Sequence, residues 1–551
     1  MAETAAIQYV ADSFTMARAD IKGRHAAGAG FLGGIARHVA EEPIRCYTGS
    51  AAAAQHCADL LHQQAGRPRP VKWIRTGDLN GLAAAGCLFV PDPQLVTPAW
   101  LRRHGDQRAF SLCGVTHTIC SSAVLSVIGD YLVAPVQPWD ALICTSQAAR
   151  AAILAHLDGW ADYLAERCGG RPTLALQLPV IPLGVNCRRF AEGEAAARLR
   201  QEFRQRHGIA GDALALLFFG RLSFHAKAHP LAMAAAAEAA ARRLGRGLHL
   251  LFVGQYANPQ MAAGFRAMAA LAPAVTFHFL DGGDEGEAQG CWHGADMFLS
   301  LSDNIQETFG LTPIEAMAAG LPAVVSDWDG YRDTVVDGET GFRIPTTVPP
   351  AGSGEDLAML YSVGQVTYDR YIGAASLATA VDVAACTEAI VRLAEDADLR
   401  RRMGEAGRRR ARQHYDWSVV IGRYQELWGE LAAIRRGGTA EAAPRRPGTP
   451  AQPLADDPFR LFAGFASRAL ADGDRMCVDD GCLPLETALG LEMNTYMLNV
   501  ILPPADLAQL VRRLRGGPLP VAELAHRHPQ PQRLRLGLMW LLKLGVAKLV
   551  R

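Results

Sequence analysis

Charge of one sign, paired cysteines and long apolar runs are all missing from this chain. Its 55 basic and 55 acidic residues cancel, so charge alone implies no polyanionic partner, and nucleic acid is not expected. Twelve cysteines occur without a Cys-x-x-Cys pair. Cys477 and Cys482 lack the histidines of a zinc site, so free thiols in a reducing compartment and no metal are expected. No run approaches the ~20 apolar residues of a membrane span, and the N-terminus has no signal-peptide core. The expectation is a cytoplasmic protein, with at most a peripheral seat at the inner face of a membrane.

What is present is a globular composition, 50% hydrophobic and 20% charged over 551 residues. That length exceeds one core and implies two or three domains. Residues 5–11 can form a buried strand. Short apolar runs at 44–47, 71–74, 87–90, 110–115, 141–144 and 180–181 then alternate with helical stretches such as 51–64 and 122–131. A second alternating series follows residue 190, with strands at 215–219, 249–253, 276–279, 297–301, 322–326 and 341–344. Strand and helix in alternation predict parallel, doubly wound sheets, whose ligands sit at the carboxyl ends of the strands.

The candidate site residues stand at such ends. His117 directly follows the strand at 110–115 and points into the first crevice. The strand at 215–219 runs into Gly220-Arg221, with Lys227 shortly after; a guanidinium and an ammonium beside a glycine suit an anion. Glu307 and Glu315 flank Phe309-Gly310-Leu311-Thr312-Pro313. Thr312 reads as an N-cap, Pro313 as the first helical residue and Glu315 as its capping-box partner. Gly320-Leu321-Pro322 ends that helix. A helix N-terminus reached through a small-residue loop offers free N–H groups to a phosphate. Gly28, Gly30, Gly33 and Gly34 read as a second glycine-rich approach to a helix, where backbone can come close to a ligand. The acidic residue of a dinucleotide fingerprint is missing near Tyr47-Thr48-Gly49.

As a set, Glu307…Glu315, Gly220-Arg221…Lys227, Pro182-Leu183-Gly184-Val185-Asn186, Thr145-Ser146-Gln147, Asp337-Gly338-Glu339-Thr340-Gly341-Phe342 and Tyr415-Asp416-Trp417 resemble glycosyltransferase family 4. The resemblance covers about residues 5–435. It implies a GT-B fold, two Rossmann-like domains facing across a cleft. It also implies a retaining, metal-independent hexosyltransferase using a UDP-, GDP- or ADP-linked hexose as co-substrate, with no cofactor and an α-linked product. By that similarity Glu307 contacts hydroxyls of the transferred sugar and Glu315 the ribose. Arg221 and Lys227 hold the diphosphate with the amides of Gly310, Leu311 and Thr312, and His117 sits by the donor sugar. The spacing Gly28-Ala29-Gly30 departs from the family's adjacent glycine pair, and residues 346–380 look like an insertion.

The expected organisation is an acceptor-side domain at 1–190, a nucleotide-sugar domain at 191–415, a crossover helix at 416–434 and a Gly/Pro/Ala/Arg linker at 435–457. Residues 458–551 outline a winged-helix-like accessory domain, expected to dock a protein or peptide. A sugar synthase, a phosphorylase and a nucleotide-sugar epimerase are the alternatives on the same fold. An adaptor or regulatory protein acting through the C-terminal domain is the non-enzymatic one.

Overall fold

The structure, a computed structural model, describes residues 4–15, 23–40, 43–438, 442, 445–526 and 528–550. Residues 1–447 and 448–551 form separate compact units. The first unit holds two parallel sheets. One comprises β1 (Ala6–Gln8), β2 (Ile44–Thr48), β3 (Val71–Arg75), β4 (Cys87–Val90), β5 (Ser111–Val115) and β6 (Ala141–Ile143), in the order β3-β2-β1-β4-β5-β6. The expected strand at 180–181 is a correction. It is only a single bridge from Val180 to Cys144, because the chain is already turning out of this lobe.

Helix α1 (Gly23–His38) runs straight through the glycine cluster. A Cβ on Gly28 would lie 1.9 Å from the Ser13 carbonyl oxygen, and one on Gly30 2.9 Å from the Trp417 indole. Gly34 likewise abuts Trp417 and Ile421. These glycines let two helices and a turn approach closely. The expected ligand-facing loop at Gly28 and Gly30 is therefore corrected to a helix-packing seam.

The second sheet comprises β7 (Leu214–Phe219), β8 (Leu248–Gly254), β9 (Val275–Asp281), β10 (Met297–Ser300), β11 (Ala323–Ser326) and β12 (Gly341–Ile344), in the order β12-β11-β10-β7-β8-β9. Every pairing in it is parallel, and β7, β8, β10 and β11 are near-continuous apolar runs, as strands covered on both faces require. Helix α2 (Leu311–Ala319) follows β10. The insertion is a short antiparallel pair, β13 (Thr346–Thr347) and β14 (Ala380–Val381), carrying α3 (Glu355–Ser362) and α4 (Tyr368–Leu377).

The chain then returns to the first lobe. The helices after the insertion break at Asp396 and Asp416, each of which caps the following helix through its carboxylate. The last helix, α5 (Trp417–Gly437), buries Trp417, Val420, Ile421, Tyr424, Leu427, Trp428 and Leu431, a helical stripe. These side chains share a core with α1 and the first sheet. Val185 and Tyr415–Trp417 pair where the chain crosses between lobes, with Val185 N–H to the Tyr415 carbonyl at 2.8 Å and Trp417 N–H to the Val185 carbonyl at 3.2 Å.

The edge of the first sheet is held by a fully buried fork of Arg102 on Asp140, at 2.7 and 2.6 Å. Asp140 also accepts from the amides of Leu112 and Gln137, so its charge is compensated on both oxygens, as burial demands.

In the second unit, β15 (Arg475–Cys477) lies between β16 (Leu519–Pro520) and β17 (Lys548–Val550), antiparallel to both. Helices α6 (Pro504–Arg515), α7 (Val521–His526) and α8 (Pro531–Lys543) bury a Leu-rich core beneath that sheet. The central strand β15 was not anticipated, being only three residues long.

Candidate active site

The carboxyl ends of β7, β10 and β11 bring together most of the expected residues. Gly220 has φ +149°, and a Cβ there would face the Lys227 stem at 3.3 Å, so glycine lets the loop fold the lysine back over the strand end. Lys227 reaches Glu307 in an ion pair whose side chains are only 14% and 19% exposed. Burial works against the lysine charge, yet Glu307, with Tyr331 and Asp329, carries the ammonium above the ordinary lysine range. For Glu307 burial again opposes, but Lys227, Arg221 and the Gly310 amide hold the carboxyl below its usual value. Lys227, Glu307 and the Gly310 N–H thus meet at one place, with Arg221 within electrostatic reach of the carboxylate and donating to the Ala226 carbonyl at 3.4 Å.

Side chain to backbone bonds fix that meeting point. Asn304 donates to the His225 carbonyl, Gln306 to the Ala226 carbonyl at 3.3 Å and Ser302 to the Lys227 carbonyl at 3.2 Å. The Glu307 loop and the Lys227 loop are therefore one braced assembly.

Helix α2 starts two residues earlier than the sequence suggests. Gly310, at φ +78°, is the N-cap, and Leu311 is the first helical residue. The expected Thr312 cap is a correction. Its hydroxyl is buried without a hydrogen-bond partner, and Pro313 and Glu315 lie deeper in the helix than a capping box requires. The physical reason is Tyr331, whose ring would stand 2.0 Å from a Cβ on Gly310; only glycine can turn the chain there. The amides of Leu311 and Thr312 are left as first-turn donors.

Glu315 lies one turn further along and pairs loosely with Arg189, at 4.0 Å. Burial raises its carboxyl pKa, with Arg189 and Lys227 acting in the opposite sense. His117 lies on the first lobe, just past the end of β5. Its Nε2 lies 2.9 Å from the Pro91 carbonyl, at the end of β4. The lobes touch close by: Ser146 donates to the Thr308 carbonyl at 2.6 Å, and the Gln147 amide to Asp333 at 2.7 Å.

Several residues at the site escaped the sequence reading. Tyr368 on α4 donates to Gln306 at 3.1 Å and lies 3.2 Å from the Cys120 sulfur of the first lobe. The Ser122 amide donates to Tyr361 at 3.4 Å, and Ser376 to the buried Asp303 at 2.9 Å. The insertion therefore straps the mouth between the lobes. Asp329 and Tyr331, in the loop after β11, lie within electrostatic reach of Lys227 and Glu307. Among the described residues no three His, Cys, Asp or Glu side chains form a metal-holding group, and no helix is long and apolar enough to cross a membrane.

Comparison with known proteins agrees with this geometry. Residues 200–355 match the family "Glycosyl transferases group 1". The D-inositol 3-phosphate glycosyltransferase of Actinosynnema mirum is 32% identical over 199 residues, 35% of this chain and 45% of that protein. The phosphatidyl-myo-inositol mannosyltransferase of Mycobacterium tuberculosis is 27% identical over 254 residues, 46% of this chain and 54% of that protein. The chain thus spans about half the length of these relatives. Among solved structures, Anabaena HepE in complex with UDP superposes with a TM-score of 0.50 at 17% identity, over 78% of this chain and 100% of that one. The match to the glycosyl transferases group 1 thus lies within residues 200–355, and the fold of the first unit is GT-B.

Proposed function

We propose that the protein transfers a hexosyl group from a nucleotide-diphosphate sugar, linked to UDP, GDP or ADP, to an acceptor hydroxyl, with retention and an α-linkage. The observation that carries this reading is the meeting of Lys227, Glu307 and the Gly310 amide at the sheet's carboxyl edge, with Arg221 within electrostatic reach. In the reaction the bond between the anomeric carbon and the diphosphate oxygen breaks, leaving negative charge on that oxygen. Lys227, Arg221 and the amides of Gly310, Leu311 and Thr312 stabilise it, in the role a metal ion takes elsewhere. The acceptor hydroxyl attacks from the same face and loses its proton to the departing phosphate.

Glu307 now sits on the ammonium where a phosphate oxygen would also bind. Lys227 has three N–H donors, enough for both once the carboxylate turns partly toward the sugar hydroxyls. Glu315, one turn deeper, is assigned to the ribose, and His117 to the sugar's far side. Each diphosphate cation is worth on the order of 2–4 kcal/mol in the transition state.

The test is nucleotide-sugar turnover in Glu307→Gln and Arg221→Ala. Both are expected to lose transfer from every nucleotide sugar the wild type uses, and undiminished transfer in both contradicts the reading.

A further inference from the structure

The loop after β11 carries a feature that the diphosphate chemistry does not use. Asp329 has φ +41°, the one non-glycine residue in the left-handed region among the described residues. Such a conformation is strained for an L-residue and persists only where its surroundings enforce it. Here the surroundings are the Glu307 loop itself. Trp328 donates to the Asn304 carbonyl at 3.1 Å, and a Cβ on Gly330 would come within 2.4 Å of the Phe309 Cα. The Tyr331 amide donates to Asp329 Oδ1 at 3.1 Å. The other oxygen, Oδ2, is buried and has no hydrogen-bond partner.

Two costs therefore meet in one side chain: a strained backbone and a buried oxygen left unsatisfied. Glycine would remove both. An aspartate kept in such a place, on the loop braced against Glu307, is suited to a partner that arrives with the substrate.

We propose that Asp329 is a specificity-determining residue of the donor site, its Oδ2 meeting a hydroxyl of the transferred sugar other than those bound by Glu307. The proposal rests on the nucleotide-sugar reading above. Burial, and then the nearby Glu307 charge, hold the Asp329 carboxyl well above the ordinary carboxylate range. A carboxyl oxygen left without a partner can accept from a sugar hydroxyl brought beside it.

The experiment measures, on the full chain, binding of UDP, GDP and ADP and of UDP-glucose, GDP-mannose and ADP-glucose by calorimetry. Asp329→Gly and Asp329→Asn are compared with wild type. The expected result is that Asp329→Gly keeps the nucleoside diphosphate Kd within about twofold but weakens the nucleotide sugar on the order of tenfold to a hundredfold. Asp329→Asn, still able to accept, stays within about threefold of wild type for both. The unfolding midpoint of Asp329→Gly is not lowered, since glycine adopts this backbone freely.

Unchanged sugar affinity in Asp329→Gly, or equal weakening of diphosphate and nucleotide sugar in either variant, overturns the proposal. Failure of wild type to bind any of the six ligands removes the nucleotide-sugar reading itself, and this proposal with it.

Discussion

Replacing Lys227 by methionine keeps most of the unbranched stem and removes the charge that Glu307 holds. Truncating one partner of a dry ion pair costs about 3–5 kcal/mol, because the other charge stays buried and unpaired. With side-chain exposures of 14% and 19%, some water still reaches the carboxylate, and Arg221 remains nearby. We therefore expect about 2–3 kcal/mol, below the dry limit. The same substitution removes one of two diphosphate cations, so cleavage of the sugar–phosphate bond should slow about thirtyfold to a thousandfold, equivalent to roughly 2–4 kcal/mol.

The two consequences separate in a double-mutant cycle with Glu307→Gln. Removing both charges abolishes the unpaired carboxylate, so the double variant should regain about 1–2 kcal/mol over Lys227→Met while remaining inactive. There is also an acid signature. The folded Glu307 carboxyl is held low, so the pair's stabilisation is present above the unfolded pKa and fades as pH falls through the folded one. Lys227→Met should lose that acid-side fade. The assays are urea denaturation at several pH values and release of nucleoside diphosphate from a nucleotide sugar. Additive stabilities with no coupling, or sugar–phosphate cleavage within about threefold of wild type, would refute the reasoning.

Four further outcomes follow from particular positions. Gly310→Ala places a methyl 2.0 Å from the Tyr331 ring at φ +78° and should cost about 2–3 kcal/mol in urea denaturation. Gly245→Ala, at φ +64° with nothing nearby, should cost only about 1 kcal/mol. Gly30→Ala crowds Trp417 at 2.9 Å and should lose about 1–3 kcal/mol of stability without altering nucleoside diphosphate affinity, as measured by calorimetry on the folded protein. Burial raises the Asp303 carboxyl to about 6, against the hydrogen bonds from Ser376 and the His229 amide. Because its folded pKa lies above the unfolded one, its contribution is fully present below about pH 4 and lost as pH rises through about 6. Asp303→Asn should therefore flatten the stability profile between these values by on the order of 2–3 kcal/mol, read by denaturation across that range.

Much of this architecture was legible because local chemistry decides it. Runs such as Leu214–Phe219 and Leu248–Gly254 are too apolar and too short for anything but covered parallel strands. Arg221 and Lys227 follow one such strand directly, so strand polarity alone put them at the ligand edge. What escaped depends on partners distant in sequence. The glycines at 28 and 30 look like a loop until Ser13 is seen packed on the first and Trp417 on the second. Thr312 has the right chemistry for a cap, but the ring of Tyr331 moves the turn back to Gly310. Asp329 lies in a Trp-Asp-Gly stretch that reads as an ordinary turn; its unbonded oxygen emerges only once the loop is pinned to Asn304 and Phe309. The insertion at 346–380 was visible as extra chain, whereas its grip on Cys120 and Ser122 was not.

The most direct measurement is the location of the phosphates in a crystal structure of the full chain with UDP, GDP or ADP. The account predicts phosphate oxygens about 3 Å from the Gly310–Thr312 amides and from the Lys227 ammonium, with the Arg221 guanidinium turned toward them. A diphosphate seated elsewhere, with Lys227 still closed on Glu307, would contradict it.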